Sequence, residues 1–590
     1  MSSEKIGKEQ KQESNFANAP ISKKIGFFSA MLVVVGSSVG AGIFFKAGNV
    51  LTESQGSIVF AMFCWVLAGF AVIAMALALI EIASARNDNL SIIGWCQTFN
   101  SRFTYKACKN FMVYVYLPLT FFFMPLYTIM SIQDGISSLI PGYNGFGTDA
   151  DWAIMMILTI LISVYFIVVN GMSSRIGNIQ NWIITSVKFL PLVFAAILGF
   201  VILGINGNVS TPSYAAGFNP TTPETSDAVY TFSQLTPGFG MFIAIGGIFF
   251  AYDGFYVTAG IQTEMKEPKK TPTAILVGMI VVTVIYLIIA LSMSLGAEDG
   301  NPFGYQDFLE SNGLIGLYAA FQILIGVGVL GIINGFALWS TRFMEDLIKA
   351  NEVPMSVKLV NKIKEKRADV GILYNLVLAI PIVFIFCIIG GLGYVDSSDY
   401  GDVYGTGVSK LYSFGDLMAT WTSVVAFAFI LFSIVGAMKN RKTNNIKVEK
   451  NKIFYPMAIA SVITMSLPIF MTFFGPIADL FMLFHIKVGS NWNTYVSDIL
   501  VPRIMSVVVL IIFISLMIVP TLIEDYKLKK QYGSIEKGEI AKIEKMANVT
   551  GVSLKEKLIE SIQMQKRNVL NEEEKAILGV ESMEKLSQAL

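Results

Sequence analysis

Long apolar runs separated by short polar stretches make up this chain from about residue 25 to residue 527. Bilayer hydrocarbon is about 30 Å thick and a helix rises about 1.5 Å per residue, so each crossing needs about 20 apolar residues. The pattern predicts about twelve such spans. They are Ile25 to Gly48, Ser57 to Ala83, Phe111 to Ile136, Trp152 to Gly171, Asn181 to Leu203, Gly238 to Met265, Thr273 to Gly296, Gly313 to Phe343, Gly371 to Gly391, Phe414 to Met438, Ile453 to Phe474 and Ile504 to Asp525. The expected fold class is an all-α integral membrane protein. Residues 1–24 are polar and read as a flexible N-terminal tail, and residues 25–527 form the transmembrane domain. From 528 to 590 the pattern turns to mixed charge with helical spacing, as in Glu539, Ile540, Ile543 and Met546, then Leu554, Leu558 and Ile562. This segment is expected to be a soluble helical appendage, either a solvated tail that needs no partner or one with a regulatory or docking role.

Composition removes several classes. With 54% hydrophobic and 14% charged residues a water-soluble globule is excluded, and a net charge of +1 carries no footprint of nucleic acid. Lys and Arg concentrate in alternate loops, at Arg102, Lys106, Lys109, Lys266, Lys269 and Lys270 and in the stretches 349–367 and 439–452. Such cations mark the cytoplasmic side, which puts both termini there in a multi-pass cell-membrane protein. Lys46, Lys410, Lys487 and Arg503 stray toward the other face. No cleavable signal is expected, because the first apolar run is long enough to remain in the bilayer. Cys64, Cys96, Cys108, Cys387 and the single His485 show no pairing or ligand spacing, so neither a disulfide framework, a metal nor another cofactor is expected. No Walker-type string and no catalytic constellation is present, and the chain is not read as an enzyme.

Two apolar spans are interrupted where a helix should be strongest. The first contains Gly36, Ser37, Ser38, Val39, Gly40, Ala41 and Gly42, and the sixth contains Gly246, Gly247 and then Phe250, Ala251, Tyr252, Asp253 and Gly254. Each Gly weakens a helix by about 1 kcal/mol relative to Ala. Inside a membrane the freed backbone groups need partners or must line a cavity. A broken helix offers unpaired N–H groups and a positive dipole end to an anion, the arrangement of transporter sites near the midplane. Gly36 and Gly40 also form a GxxxG pair suited to close helix packing, so the first break alone is ambiguous. Breaks in the first and sixth spans are what two inverted repeats of about five spans would bring to one centre. Asp253 is either a cap for the second half-helix or a contact to substrate or ion.

These residues carry a resemblance. GSSVGAGIF, starting at Gly36, is similar to the G-x-x-x-G-[SA]-G-I-F string of the amino acid–polyamine–organocation superfamily. FFAYDGFYVTAGIQTEMKEPKKTPTAI resembles its sixth span, following loop and seventh-span start, and VVNGMSSRIGNIQNWIITSVKFLPLVFAAILG its fourth and fifth spans. The resemblance implies a LeuT-like 5+5 inverted repeat with two additional helices. It implies that amides around Gly40, Ala41 and Gly42 hold a substrate carboxylate. Carbonyls of Ser38, Phe250 and Asp253 would receive its ammonium, with Val39, Ala251, Tyr252 and Gly254 completing the two breaks. Phe250 is expected either to gate the ligand or simply to pack the bundle. Asn334 and Phe336 are expected near the ligand's side chain. Lys188 falls where sodium-coupled relatives hold an ion, and a fixed ammonium can replace that ion. It either couples transport to protons, snorkels to the interface or braces the first span. Ala41 departs from the Ser of many relatives.

The function expected is secondary active transport of amino acids by alternating access, proton-coupled or exchanging. A transporter-like amino acid sensor and a sodium-coupled symporter are the alternatives. The partners expected are an amino acid, a proton and the lipid bilayer. Cationic and neutral amino acids both remain open as substrates.

Overall fold

The computed structural model describes residues 26–40, 42–86, 90–143, 145–148, 150–207, 231–256, 266–267, 270–297, 300–364, 367–394, 406–485, 492, 496–564, 567, 570 and 572–580. The N-terminal tail, Ala41 and the last part of the sixth span lie outside them. Among the described residues ten helices are long and apolar enough to cross a membrane, and the two shorter apolar helices belong to the interrupted spans. The first span is split into α1 (Phe27–Ser38) and α2 (Gly42–Glu53). The second is α3 (Ile58–Ala83), followed by a short helix, α4 (Ser91–Phe99). The third runs as α5 (Arg102–Phe111), a π turn (Met112–Tyr116) and α6 (Leu117–Ser137). Next come α7 (Asp151–Met172), α8 (Ser174–Val187), α9 (Phe189–Asn206), α10 (Pro237–Tyr252) and α11 (Thr271–Gly296). The remaining spans are α12 (Ile315–Lys349), α13 (Asp369–Ile388), α14 (Thr406–Thr443), α15 (Phe454–Met482) and α16 (Val501–Tyr532).

Local chemistry sets many of the boundaries. The hydroxyls of Ser57, Ser101, Ser173 and Thr236 each accept from the N–H three residues on, capping α3, α5, α8 and α10. Pro125 lies inside α6 and has no N–H, which frees the Phe121 carbonyl. Ser163 of α7 donates to that carbonyl at 2.8 Å, so the break in one ladder becomes a bond between two spans. Pro191 similarly leaves the Val187 carbonyl without its normal helical donor, and the fifth span divides at Lys188.

Of the ten long helices among the described residues, three are the most deeply buried. The most apolar window of the span Arg102–Ser137 is 94% buried, and those of α3 and α14 are 72% and 78% buried. The corresponding windows of α7, α13, α15 and α16 are only 28% buried, so these helices present apolar side chains outward, as a hydrocarbon solvent requires.

Helix α16 continues past the predicted end of its span to Tyr532, and α17 (Ile535–Thr550), α18 (Leu554–Met564) and α19 (Glu572–Leu578) follow. Leu558, Ile562, Leu570 and Leu578 form a small core of their own. Ions hold this appendage to the spans. Arg102 pairs with Asp525 and with Glu539 (2.6 Å), Lys106 with Glu352 (2.6 Å), and Lys542 with Glu524. The Lys109 ammonium donates to the Glu352 carbonyl at 2.8 Å, and the Asn351 amide to the Lys542 carbonyl at 3.0 Å. Glu352 lies beyond the end of α12. Burial opposes its charge, but Lys106 and Lys109 outweigh burial and hold its carboxyl down to about 2.

Candidate functional site at the two helix breaks

The breaks in the first and sixth spans meet. A Cβ on Gly42 would lie 2.8 Å from the Ala251 Cα, so only glycine permits this approach of α2 to α10. Gly254 has φ +98°, a conformation that ends α10 abruptly after Asp253. Ser38, Val39, Gly40 and Gly42 are thereby brought beside Phe250 and Ala251.

Two side chains satisfy the backbone groups freed at the first break. The Lys188 ammonium donates to the carbonyls of Gly36 (2.7 Å) and Val39 (3.0 Å), at the negative end of the α1 dipole. The second is Tyr286 of α11. Its hydroxyl accepts from the Gly40 N–H at 3.2 Å and lies 2.9 Å from the Ser38 carbonyl and 2.8 Å from the Ala251 carbonyl. One hydroxyl proton serves one acceptor at a time, so Tyr286 can donate to only one of the two broken spans at once. Beside Lys188 a crevice lined by Gly40, Phe44, Pro191, Leu192, Ile325 and Gly328 has a volume of about 10 Å³, room for at most one water.

The second break faces the third and tenth spans. Asp253 accepts from the Gly254 N–H (2.9 Å) and from the Tyr116 hydroxyl (2.9 Å), with Ser423 of α14 at 3.4 Å. Tyr116 also shares a 2.8 Å hydrogen bond with Tyr256. Tyr116 ends the π turn between α5 and α6, an irregularity that re-aims side chains and recurs at functional sites. Phe250 packs against Phe123 (5.8 Å between ring centroids) and Tyr127 (5.9 Å), buried in the same interior.

Beside Phe250 lies a buried ion pair. The Lys46 ammonium is 2.6 Å from an Asp416 carboxylate oxygen and 5.3 Å from the Phe250 ring centroid. Its other donors reach the Asp416 carbonyl (3.2 Å) and the Thr420 hydroxyl (2.8 Å). Asp416 accepts further from Tyr127 (2.6 Å) and Asn49 (2.9 Å). Lys46 is thus a 1%-exposed residue of α2 with every proton engaged.

Asn334 and Phe336 separate. Their spacing places them about 200° apart on one helix, so they cannot share a face. Phe336 lies 5.6 Å from the Tyr116 ring. Asn334 turns to the junction of α7 and α8, donating to the Gly177 carbonyl (3.0 Å) and accepting from Asn170 (3.0 Å). Its amide braces the fifth span and does not join the breaks. Tyr286, Tyr116, Ser423 and the Lys46–Asp416 pair were not singled out from the sequence. Their signal was a lone polar atom within an apolar run, as Tyr286 in VVTVIYLIIA.

The amino acid permease family profile matches residues 25–510, nearly the whole span-bearing part of the chain. The chain belongs to the amino acid permease family. An uncharacterized protein of Mycoplasma pneumoniae is 44% identical over 548 residues, covering 87% of this permease and 96% of the relative. The serine/threonine exchanger SteT of Bacillus subtilis is 24% identical over 351 residues, 58% of this permease and 71% of the exchanger. Among solved structures, MhsT in complex with L-phenylalanine covers 76% of the permease and 97% of that chain at 14% identity, with a TM-score of 0.44. The permease is a multi-pass membrane protein and a secondary amino acid transporter.

Proposed function

We propose that the permease binds the backbone of its amino acid between the two breaks and moves it by alternating access across the cell membrane, driven by protons or by exchange rather than sodium. The single observation that carries this reading is Lys188, whose ammonium already satisfies the carbonyls of Gly36 and Val39 where a cation would otherwise be required. The amides from Gly40 to Gly42 would hold the carboxylate, and the carbonyls of Ser38, Phe250 and Asp253 the ammonium. Tyr286 is a placeholder in this scheme: a carboxylate taking the Gly40 N–H would displace its hydroxyl, which then remains free to donate to the ligand. Movement of α1 away from α9 would strip Lys188 of both acceptors, so its proton would have different surroundings in the two access states. The cation-rich side bearing the C-terminal helices is taken as cytoplasmic.

Counterflow of radiolabelled amino acids in proteoliposomes, with and without proton and sodium gradients, tests the reading. Saturable counterflow that ignores sodium is expected. Binding without flux, or flux that requires sodium, overturns it.

A further inference from the structure

We infer that the C-terminal appendage is a salt-released strap across the cytoplasmic face, which ties two bodies of the permease together and must let go before the site opens inward. This rests on the alternating-access reading and its orientation, and adds to them a control on the inward-opening step.

The spans fall into two bodies. The first and sixth, which carry the breaks, pack with the second and seventh, while the third, fourth, eighth and ninth pack on one another. Opening toward the cytoplasm requires the two bodies to part at their inner ends. The appendage touches both. On one side Glu539 of α17 takes the Arg102 guanidinium at the start of the third span (2.6 Å), and the carbonyls of Lys542 and Val549 accept from Asn351 (3.0 Å) and Asn361 (3.4 Å), just past the eighth span. On the other side Arg567, beyond α18, forms an antiparallel bridge with Ile446 in the connection between α14 and α15. That connection is fastened to the second span: Arg441 donates to Glu81 of α3 at 2.6 Å, the Asn451 N–H to the same carboxylate at 2.7 Å, and the Glu449 N–H to Ser84 at 2.8 Å. Between its two ends the appendage is braced, by Ile543 of α17 against the core of Leu558, Ile562, Leu570 and Leu578, and by Arg567 on Glu574 (2.6 Å). Load therefore passes from the third and eighth spans through the appendage to the second.

The grip on the third span is ionic and has two layers. In the inner layer Lys106 pairs with Glu352 and Lys109 donates to its carbonyl, joining the third and eighth spans within one body, and Lys106 is only 1% exposed. The outer layer carries the appendage. Its pairs, Arg102 with Glu539 and Lys542 with Glu524 of α16, have all four side chains between 21% and 29% exposed. The inner cations reach Glu524 and Glu539 only at 3.4 to 3.8 Å. Pairs open to water are weak singly and are screened as the Debye length falls from about 10 Å at 0.1 M salt to about 3 Å at 1 M, whereas buried pairs are screened much less. Rising salt at the cytoplasmic face thus loosens the strap and leaves the inner layer standing. Release matters to the site because the third span runs from Arg102 to the π turn and Tyr116, which donates to Asp253 at the second break.

The test uses full-length permease in lipid nanodiscs, where both faces meet the same salt, with Val35→Cys as a reporter on the cytoplasmic half of the first span. Val35 is buried, and so are the four native cysteines, whose labelling in the protein without the reporter gives the background. The rate of labelling by an uncharged, membrane-impermeant maleimide reads inward opening. Raising potassium chloride from about 50 to about 500 mM is expected to speed labelling by about 5-fold, the scale of weakening a few half-exposed pairs. Glu539→Gln with Lys542→Gln removes both outer pairs and leaves the third span untouched, and is expected to label at the high-salt rate already at low salt. Asn361→Cys with Val549→Cys, joined at low salt by a short bifunctional thiol reagent, is expected to stay slow at high salt, which a general effect of salt on the bundle would not give. Salt-independent labelling of the parent, a slow double glutamine variant, or a joined protein that keeps the full salt response overturns the proposal. Labelling requires no flux, so salt-independent labelling alongside active counterflow would sink the strap alone, and salt-driven labelling without any flux would uphold the strap and sink the transport reading.

Discussion

At the scale of single residues, the centre of the permease is organised by side chains that stand in for missing helix bonds. Tyr286 touches Gly40, Ser38 and Ala251 with one oxygen, and removing that oxygen orphans groups in both broken spans. Tyr286→Phe is therefore expected to lower counterflow while the protein remains folded. The loss of one shared hydrogen bond should cost about 1 kcal/mol of stability, visible as a small fall in the melting midpoint of the detergent-solubilised protein. Undiminished counterflow would contradict this role. Sequence alone identified Lys188, because a lysine within an apolar run is costly, about 2.5 to 3.5 kcal/mol at a span centre, and so invites an explanation. It did not identify Tyr286, because tyrosine is tolerated in such runs and its partners lie 35 to 248 residues away. The partner of Lys46 was hidden for the same reason: Asp416 is 370 residues distant, and only the fold joins them.

At the scale of elements, glycine placement made the two breaks legible, since local helix weakness is written in local composition. That they touch was an inference from repeat symmetry, and Gly42 against Ala251 supplies the contact. A methyl group at Gly42 would collide with backbone, not with a movable side chain. Gly42→Ala is thus expected to push α2 from α10 and to abolish counterflow, with expression at the membrane preserved in part. Near-normal transport by this variant would show that the breaks do not need this approach. Asn334 marks the limit of such reading. The family resemblance placed it with Phe336 near the ligand's side chain, but helical geometry sends the two to different neighbours, and the amide of Asn334 braces the fifth span.

At the scale of the whole molecule, the charged stripe of the third span, Arg102, Lys106 and Lys109, does two jobs. It supplies the cation bias by which orientation is read, and it holds α17 directly through Glu539, while Glu352 and Glu524 balance the same cations and Glu524 also pairs with Lys542 of α17. Glu352 has its carboxyl held at about 2, below its ordinary 4.5, so its share of the anchoring is full above about pH 4.5 and fades as pH falls toward 2. Hydrogen exchange of the α17 amides should be slow from neutrality to about pH 4.5, after correction for intrinsic rates, and Glu352→Gln should speed it throughout that range. Exchange in the variant equal to that of the parent would remove Glu352 from the anchor.

The central claim is that Lys188 substitutes for a coupling cation at the first break. Substrate accumulation in proteoliposomes, measured against internal and external pH, tests it most directly. The parent permease should accumulate amino acid in response to an inward proton gradient, and Lys188→Met, which keeps the length of the side chain and removes its charge, should bind or exchange without any such response. A Lys188→Met permease that retained the parent's pH dependence would contradict the account.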